Sequence, residues 1–590
     1  MNHHDVEDRA ALSPTDARPM PGGLLRWVYN NNPFYVISAC LVFLGLRASF
    51  DAQGRLLESG ALMGGLAAYT LLLAATAVAV VRLGRVWDDA RTILLLVVLL
   101  FLAISVTFDE TLAADPALGR LFYLGGLLFS VVVSESLLRG MGLRMRALYR
   151  LPYYLILGLF FAYPVALSPW LDRPETPELQ WALFGFSTVA GLAFLTLLPA
   201  VRRGPKYLEK NGSPWRWPLY PWVLFGLLGV VAAARSYSLC VSFHFVAPSP
   251  VEMNMLDSRS YSMAGSLDFL LGSRLIFGPY FLIPLLLAWG VLLLEMGLVS
   301  GRRLAQRVAL VLPLGLLAMA MGGHRPDPIY RRFLELLADG LGGTPAFLTL
   351  LAALGFYVYA MLRGVRKSAE LLTIALAILS VVGPETLRLG DLRAPEAWPL
   401  ALAAGLQLSL ALRRRDSYRC LIAAGCVSLA VSAALPAAWS PAERFVVALH
   451  LLLAGTLAIG AVFEDGLGQL LRRLGAGGLL LAILAGVIAE PRPFGALPSE
   501  VLRAYPILMT LISAGYGAML GDTLYLRVAA GGLLGWLAMV GGRSYAALRQ
   551  VVGGLDQISL GLAFFLLAAG ISLWKAGMIQ KWLTRRTDEG

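Results

Sequence analysis

Charge is scarce in this chain. Of its 590 residues only 15% are Asp, Glu, Lys or Arg, while 58% are hydrophobic and the mean hydropathy is +0.70. A soluble domain carries about 25% charge and about 45–50% apolar residues. A water-soluble globule is therefore excluded, because too little polar surface exists to keep it dispersed. Polar stretches stay below roughly 35 residues, short of the usual domain size of about 50–250, so no soluble domain of ordinary size is appended. Cysteine is nearly absent. Cys40, Cys240, Cys420 and Cys426 lie in or beside apolar runs with no CxxC, which argues against a disulfide framework or a thiolate metal site. His3, His4, His244, His324 and His450 are scattered without an HExxH, and no phosphate-binding GxxxxGK[ST] loop is present. No metal and no cofactor are expected, and any ATP-driven motor would have to be a separate chain. Lysine is confined to Lys206, Lys210, Lys367, Lys575 and Lys581, so arginine carries the basic charge.

What the chain has in abundance is long apolar runs such as ILLLVVLLFLAISV at 93–106. A spanning helix needs about 20 mostly apolar residues, and inside lipid a helix satisfies its own backbone groups. The pattern predicts an all-α, polytopic helical membrane bundle. Candidate spans fall at 33–49, 61–81, 92–108, 121–138, 150–169, 179–201, 219–242, 276–299, 304–322, 344–362, 369–387, 396–412, 419–437, 443–463, 475–489, 501–520, 524–541 and 557–574. That is 18, with 14–18 allowed if short ones are re-entrant. Residues 1–32 read as a flexible tail, 33–575 as one transmembrane domain and 576–590 as a basic tail.

The net charge of +12 would suggest nucleic acid in a soluble protein. Here basic loops orient the spans instead, so no nucleic-acid partner is expected. With the N-terminus inside and the spans alternating, the basic loops 139–150, 202–216, 302–307, 363–367 and 413–419 and the tail 581–586 all fall on one side. This predicts both termini in the cytoplasm of a bacterial-type inner membrane. The longest outer loops are then 243–275 and 323–343. In the second, Ile329, Phe333, Leu336, Leu337 and Leu341 share one face, as in a helix lying on the membrane surface.

Charges within spans cost at least about 2.5–3.5 kcal/mol at the bilayer centre and are functional candidates by default. Glu135 precedes Arg139 by four residues, a favourable helical ion-pair order. Glu295 lies about a turn from an inner span end, where a solvated carboxylate competes with a site. Arg235 lies near an outer end, where its head could reach the interface. Ser238 and Ser242 share its face, an unusual stripe to show to lipid. His450 reads as a histidine bonded to a neighbouring helix.

The tripeptide Arg-Ser-Tyr occurs at Arg235–Tyr237, Arg259–Tyr261 and Arg543–Tyr545. Arg suits bidentate contact with phosphate or carboxylate, and Tyr offers a flat apolar body with a polar tip. The candidate binding set is Arg235, Ser238, Arg259, Tyr261, Glu385, Arg388 and Arg543, facing an anionic or lipid-linked small molecule beside the lipid bilayer. The alternative is that Arg and Tyr simply populate the interface.

Three functions compete. A transporter or flippase-like protein fits the span number, and Pro279, Pro284, Pro313 and Gly322 would permit bent helices; the lack of mid-membrane charge counts against it. A membrane-embedded glycosyl or phosphoryl transferase at the outer leaflet would use Asp109 or Glu110 as base. Integral-membrane glycosyltransferases place acids just outside an early span, as Asp51 and Asp109–Glu110 lie here, although their long first outer loop is missing. A non-catalytic membrane scaffold is the third.

Overall fold

The computed structural model describes residues 33–50, 56–171, 176–209, 211–215, 217, 219–243, 279–321, 328–436, 438–488 and 502–575. Both predicted tails and the loop 244–278, with Arg259 and Tyr261, lie outside the described residues. Among the described residues all regular structure is helical. The helices are α1 Phe34–Phe50, α2 Leu56–Gly84, α3 Trp87–Ala114, α4 Pro116–Met141, α5 Ala147–Leu167, α6 Pro177–Leu195, α7 Leu198–Arg203, α8 Leu219–Ser242, α9 Ile283–Val299 and α10 Arg303–Met321. They continue as α11 Pro328–Leu341, α12 Pro345–Leu362, α13 Ser368–Leu379, α14 Ala397–Arg414, α15 Ser417–Ala434, α16 Pro441–Val462, α17 Gly466–Ile488, α18 Tyr505–Leu520, α19 Thr523–Val551 and α20 Leu555–Lys575.

Each apolar run picked out from the sequence coincides with helix, although 179–201 is divided between α6 and α7 and 369–387 runs past the end of α13. Among the described residues thirteen helices are long and apolar enough to cross a membrane, and four shorter apolar helices accompany them. Large apolar side chains point outward at mid-helix: Leu128, Val230 and Leu481 are 66%, 67% and 68% exposed. Such surfaces belong in lipid, and the chain is a multi-pass membrane protein.

Local chemistry sets where helices begin. Asp115, Thr344 and Ser440 each precede a proline and accept a hydrogen bond from a backbone N–H of the first turn. The side-chain oxygen satisfies an orphan donor, and proline at the first helical position lacks an N–H that would need one. Ser440 and Glu443 complete a reciprocal capping box.

The helices cluster into two compact units, Met1–Arg393 and Ala394–Gly590. Unit 1 is built on an aromatic core that includes Phe101, Phe108, Phe160, Phe161, Phe186 and Phe194. Its α11 is the amphipathic helix foreseen in the second outer loop. Phe333, Leu336 and Leu337 are buried, with Phe333 4.8 Å from the rings of both Phe184 and Tyr280. Its apolar face therefore packs on protein, while Leu341 stays 56% exposed. Unit 2 has a small core of Leu457, Ala476, Leu479 and Tyr525. There Ser513 Oγ donates to the Tyr525 carbonyl over 2.9 Å, and Tyr525 donates to the Arg472 carbonyl over 2.5 Å.

Candidate functional site

Asp109 lies in the penultimate turn of α3. The tight α3–α4 connection, capped by Asp115, brings Tyr123 back beside it. Two glycines allow the close approach. A Cβ on Gly119 would lie 2.4 Å from Leu112 Cα, and one on Gly126 would lie 2.5 Å from the Phe108 ring and 2.8 Å from the Phe161 ring. From α8, Arg235 enters the same space.

Arg235 does not reach for the interface. It turns inward and is completely buried, as is Tyr123; Asp109 is 2% exposed. Nη1 of Arg235 donates to Asp109 Oδ2 over 2.6 Å and Nη2 donates to Oδ1 over 2.8 Å. This is the bidentate fork that guanidinium and carboxylate geometry favours. Arg235 Nη2 also donates to Tyr123 Oη over 3.0 Å, and Nη1 donates to Ser238 Oγ over 3.1 Å. The Tyr123 hydroxyl proton is shared between Asp109 Oδ1 and the Ser105 carbonyl. Nε of Arg235 is buried without a partner among the described residues. Phe108 stands edge-on to Tyr123 at 5.3 Å, so the polar group has an aromatic wall. The ensemble is a buried ion pair with no net charge, held among three apolar helices.

Two further carboxylates show the same chemistry. Glu295 on α9 is fully buried rather than solvated, and holds Arg363 through Nε (2.7 Å) and Nη2 (2.9 Å). Tyr359 also donates to Glu295, and Arg202 Nη2 lies 3.5 Å from it. Glu135 does pair with Arg139 at 3.5 Å, but Arg150 and Tyr154 from α5 bond it more closely. Each of the three sites joins a carboxylate, an arginine and a tyrosine contributed by more than one helix.

No family model, curated protein or solved structure matches this chain.

Of the sequence candidates, the structure brings Asp109, Arg235 and Ser238 together. Glu110, the next residue after Asp109, is exposed. Glu385 and Arg388 are exposed in a turn tied to the start of α12, where Thr344 Oγ1 donates to the Thr386 carbonyl over 2.9 Å. The Arg388 N–H donates to Asp391 over 3.0 Å. Arg543 is exposed on α19 of unit 2, and its neighbour Tyr545 donates to Asp556 over 2.5 Å. The Arg-Ser-Tyr repeats thus serve different local purposes where they are described. In the first, Ser236 bonds the Ala232 carbonyl and Tyr237 packs on Phe281 at 4.7 Å. Sequence reasoning missed Tyr123 and Tyr359, which sit in ordinary helix contexts, and read Arg363 only as part of the basic loop 363–367. His450 does bond a neighbouring helix: Nδ1 faces the Val446 carbonyl at 2.7 Å and Nε2 faces Tyr505 Oη at 2.6 Å. A carbonyl only accepts, so Nδ1 carries the proton and Nε2 accepts from Tyr505. Among the described residues no His, Cys, Asp or Glu group could hold a metal ion.

Proposed function

We propose that this chain is a carrier or flippase-like protein of a bacterial-type inner membrane, handling an anionic or amphiphilic, lipid-linked substrate. The topology proposed with it is 18 spans with both termini in the cytoplasm. The one-sided distribution of basic loops supports that orientation, and the helices found at the apolar runs support a multi-pass chain.

The observation that carries the reading is the buried Asp109–Arg235 pair. Ionisable side chains inside a membrane bundle are expensive and mark substrate paths more often than they add stability. Arg235 presents a fork that suits carboxylate or phosphate, neutralised at rest by Asp109. An incoming anion that displaced the carboxylate would be gripped by the same donors and by Ser238. The transferase alternative gains no support at Asp109, since both carboxylate oxygens are engaged and neither is free to act as a base.

The test uses the full chain in vesicles containing a fluorescent phosphatidylglycerol analogue, with a membrane-impermeant quencher reporting movement between leaflets. Exchange faster than in protein-free vesicles is expected, slowed by the double variant Asp109→Leu/Arg235→Met, which leaves no buried charge unpaired, in protein that remains monodisperse. Exchange no faster than in protein-free vesicles would remove the carrier reading and favour the scaffold. A reporter fused after Gly590 that appeared outside would overturn the topology.

A further inference from the structure

The Glu295 cluster is a different arrangement from the neutral Asp109 pair. Two guanidinium groups, one from α7 and one from the turn that follows α12, converge on one carboxylate, so the trio carries a net positive charge. The carboxylate is wholly buried, whereas Arg202 and Arg363 are 42% and 40% exposed. Tyr359 fixes both partners: its hydroxyl donates to Glu295 and accepts from Arg202 Nη2 over 2.8 Å. Glu295 occupies Nε and Nη2 of Arg363. A guanidinium has five N–H donors. Nη1 of Arg363, and Nε and Nη1 of Arg202, have no partner among the described residues and are left for a ligand.

The neighbouring surface has two sides. Further exposed cations lie close in sequence to the site's residues, with Arg203 next to Arg202 and Arg366 three residues after Arg363. On α12, which ends just before Arg363, Val358 and Leu362 are 41% and 78% exposed. Four residues apart, they share a helix face. A ligand that met both sides would be anionic at one end and apolar at the other.

We infer that Arg202 and Arg363 bind the phosphate of an anionic phospholipid headgroup, with Glu295 and Tyr359 positioning the two forks and the acyl chain lying along Val358 and Leu362. Basic pockets between spanning helices on the cytoplasmic side take such headgroups, and the inference rests on the proposed topology for placing this end there. Free inorganic phosphate shares the chemistry of the headgroup, but it would leave the apolar stripe without a role.

Native mass spectrometry of the full chain in mild detergent, titrated with phosphatidylglycerol, phosphatidylcholine or inorganic phosphate, tests this. Phosphatidylglycerol should be retained about tenfold more tightly than phosphatidylcholine, the scale of one charge-assisted contact. Arg202→Gln should lose most of that preference, and Arg413→Gln/Arg414→Gln, which removes two cations from unit 2, should keep it. Equal retention of the two lipids by the wild type, or an unchanged preference in Arg202→Gln, would overturn the proposal. So would displacement of the lipid by inorganic phosphate at equal concentration. The wild-type comparison needs no variant, so a poorly folded Arg202→Gln protein leaves a decisive result. Binding is read without transport, so failure of the carrier reading would leave this preference intact.

Discussion

Replacing one member of the Asp109–Arg235 pair leaves the other as an uncompensated buried charge. Removing one partner of such a pair costs about 3–5 kcal/mol. Here the upper part of that range applies: Arg235 is completely buried, Asp109 is 2% exposed, and two charge-assisted bonds of 2.6 and 2.8 Å are lost together. Asp109→Leu and Arg235→Met should therefore each destabilise unit 1 severely. The double variant should not, because no charge remains and the apolar replacements suit the surrounding aromatic core. Replacing a whole buried pair by apolar residues of similar volume ranges from neutral to stabilising by about 1–4 kcal/mol. A double-mutant cycle should then give a coupling of about 3 kcal/mol or more, the top of the range for contacting residues. Tyr123→Phe should cost less, about 1–3 kcal/mol, since the ion pair persists and only the hydroxyl bridge is lost. The assay is reversible unfolding in mixed detergent micelles, read by intrinsic fluorescence from the 13 tryptophans. A double variant whose loss equals the sum of the single losses would refute the reasoning, because the two side chains would then act independently.

Other sites yield sharper local tests. Gly126→Ala places a Cβ 2.5 Å from the Phe108 ring, so overpacking should lower stability by about 1–3 kcal/mol in the same assay. Tyr505→Phe removes the donor to His450 Nε2 and should cost about 1 kcal/mol, seen as a lower unfolding midpoint. Asp465, in the turn between α16 and α17, accepts from Ser417 Oγ over 2.5 Å and from the Gly468 N–H over 2.7 Å. These bonds hold its carboxyl below the usual aspartate range. The stabilisation from this depressed group is complete above the unfolded pKa, about 3.9, and is lost as pH falls through the lower folded value. Below about pH 4 the wild type should therefore lose stability more steeply than Asp465→Asn.

Helix positions were legible because desolvation leaves a continuous local signature, and every apolar run coincides with helix. Their ends were less so. The run read at 92–108 is a helix over Trp87–Ala114, and the run read at 475–489 begins at Gly466. Charged residues close the apolar window while the backbone ladder continues through them. In α17, Arg472 Nη2 lies 3.3 Å from the Phe463 carbonyl, the kind of local partner that lets a guanidinium sit inside a helix. In the other direction, 369–387 overshot, since α13 stops at Leu379 before the turn at Gly383 and Pro384. Prolines after Asp115, Thr344 and Ser440 were start signals present in the sequence.

The candidate site was only half legible. Asp109 and Arg235 were each singled out, but their pairing is a tertiary fact across 126 positions. One cue was available: opposite charges placed near the same ends of two spans by the alternating topology. No comparable cue marked Tyr123 or Tyr359, because a tyrosine in an apolar helix usually packs as an aromatic. Glu295 and Arg363 were also separable only by structure, with 68 residues between them.

The separation between Asp109 and Arg235 also shapes how the protein is made. Ribosomes add about 5–20 residues per second, so Arg235 is synthesised roughly 6–25 s after Asp109. Once α3 and α4 have entered the membrane machinery, Asp109 has no counter-charge until Arg235 of α8 follows. The hairpin cannot be released into lipid at low cost until α8 arrives. A transcript ending before α8 should therefore yield a less stable membrane product than one that includes it, read as a shorter half-life in a pulse-chase.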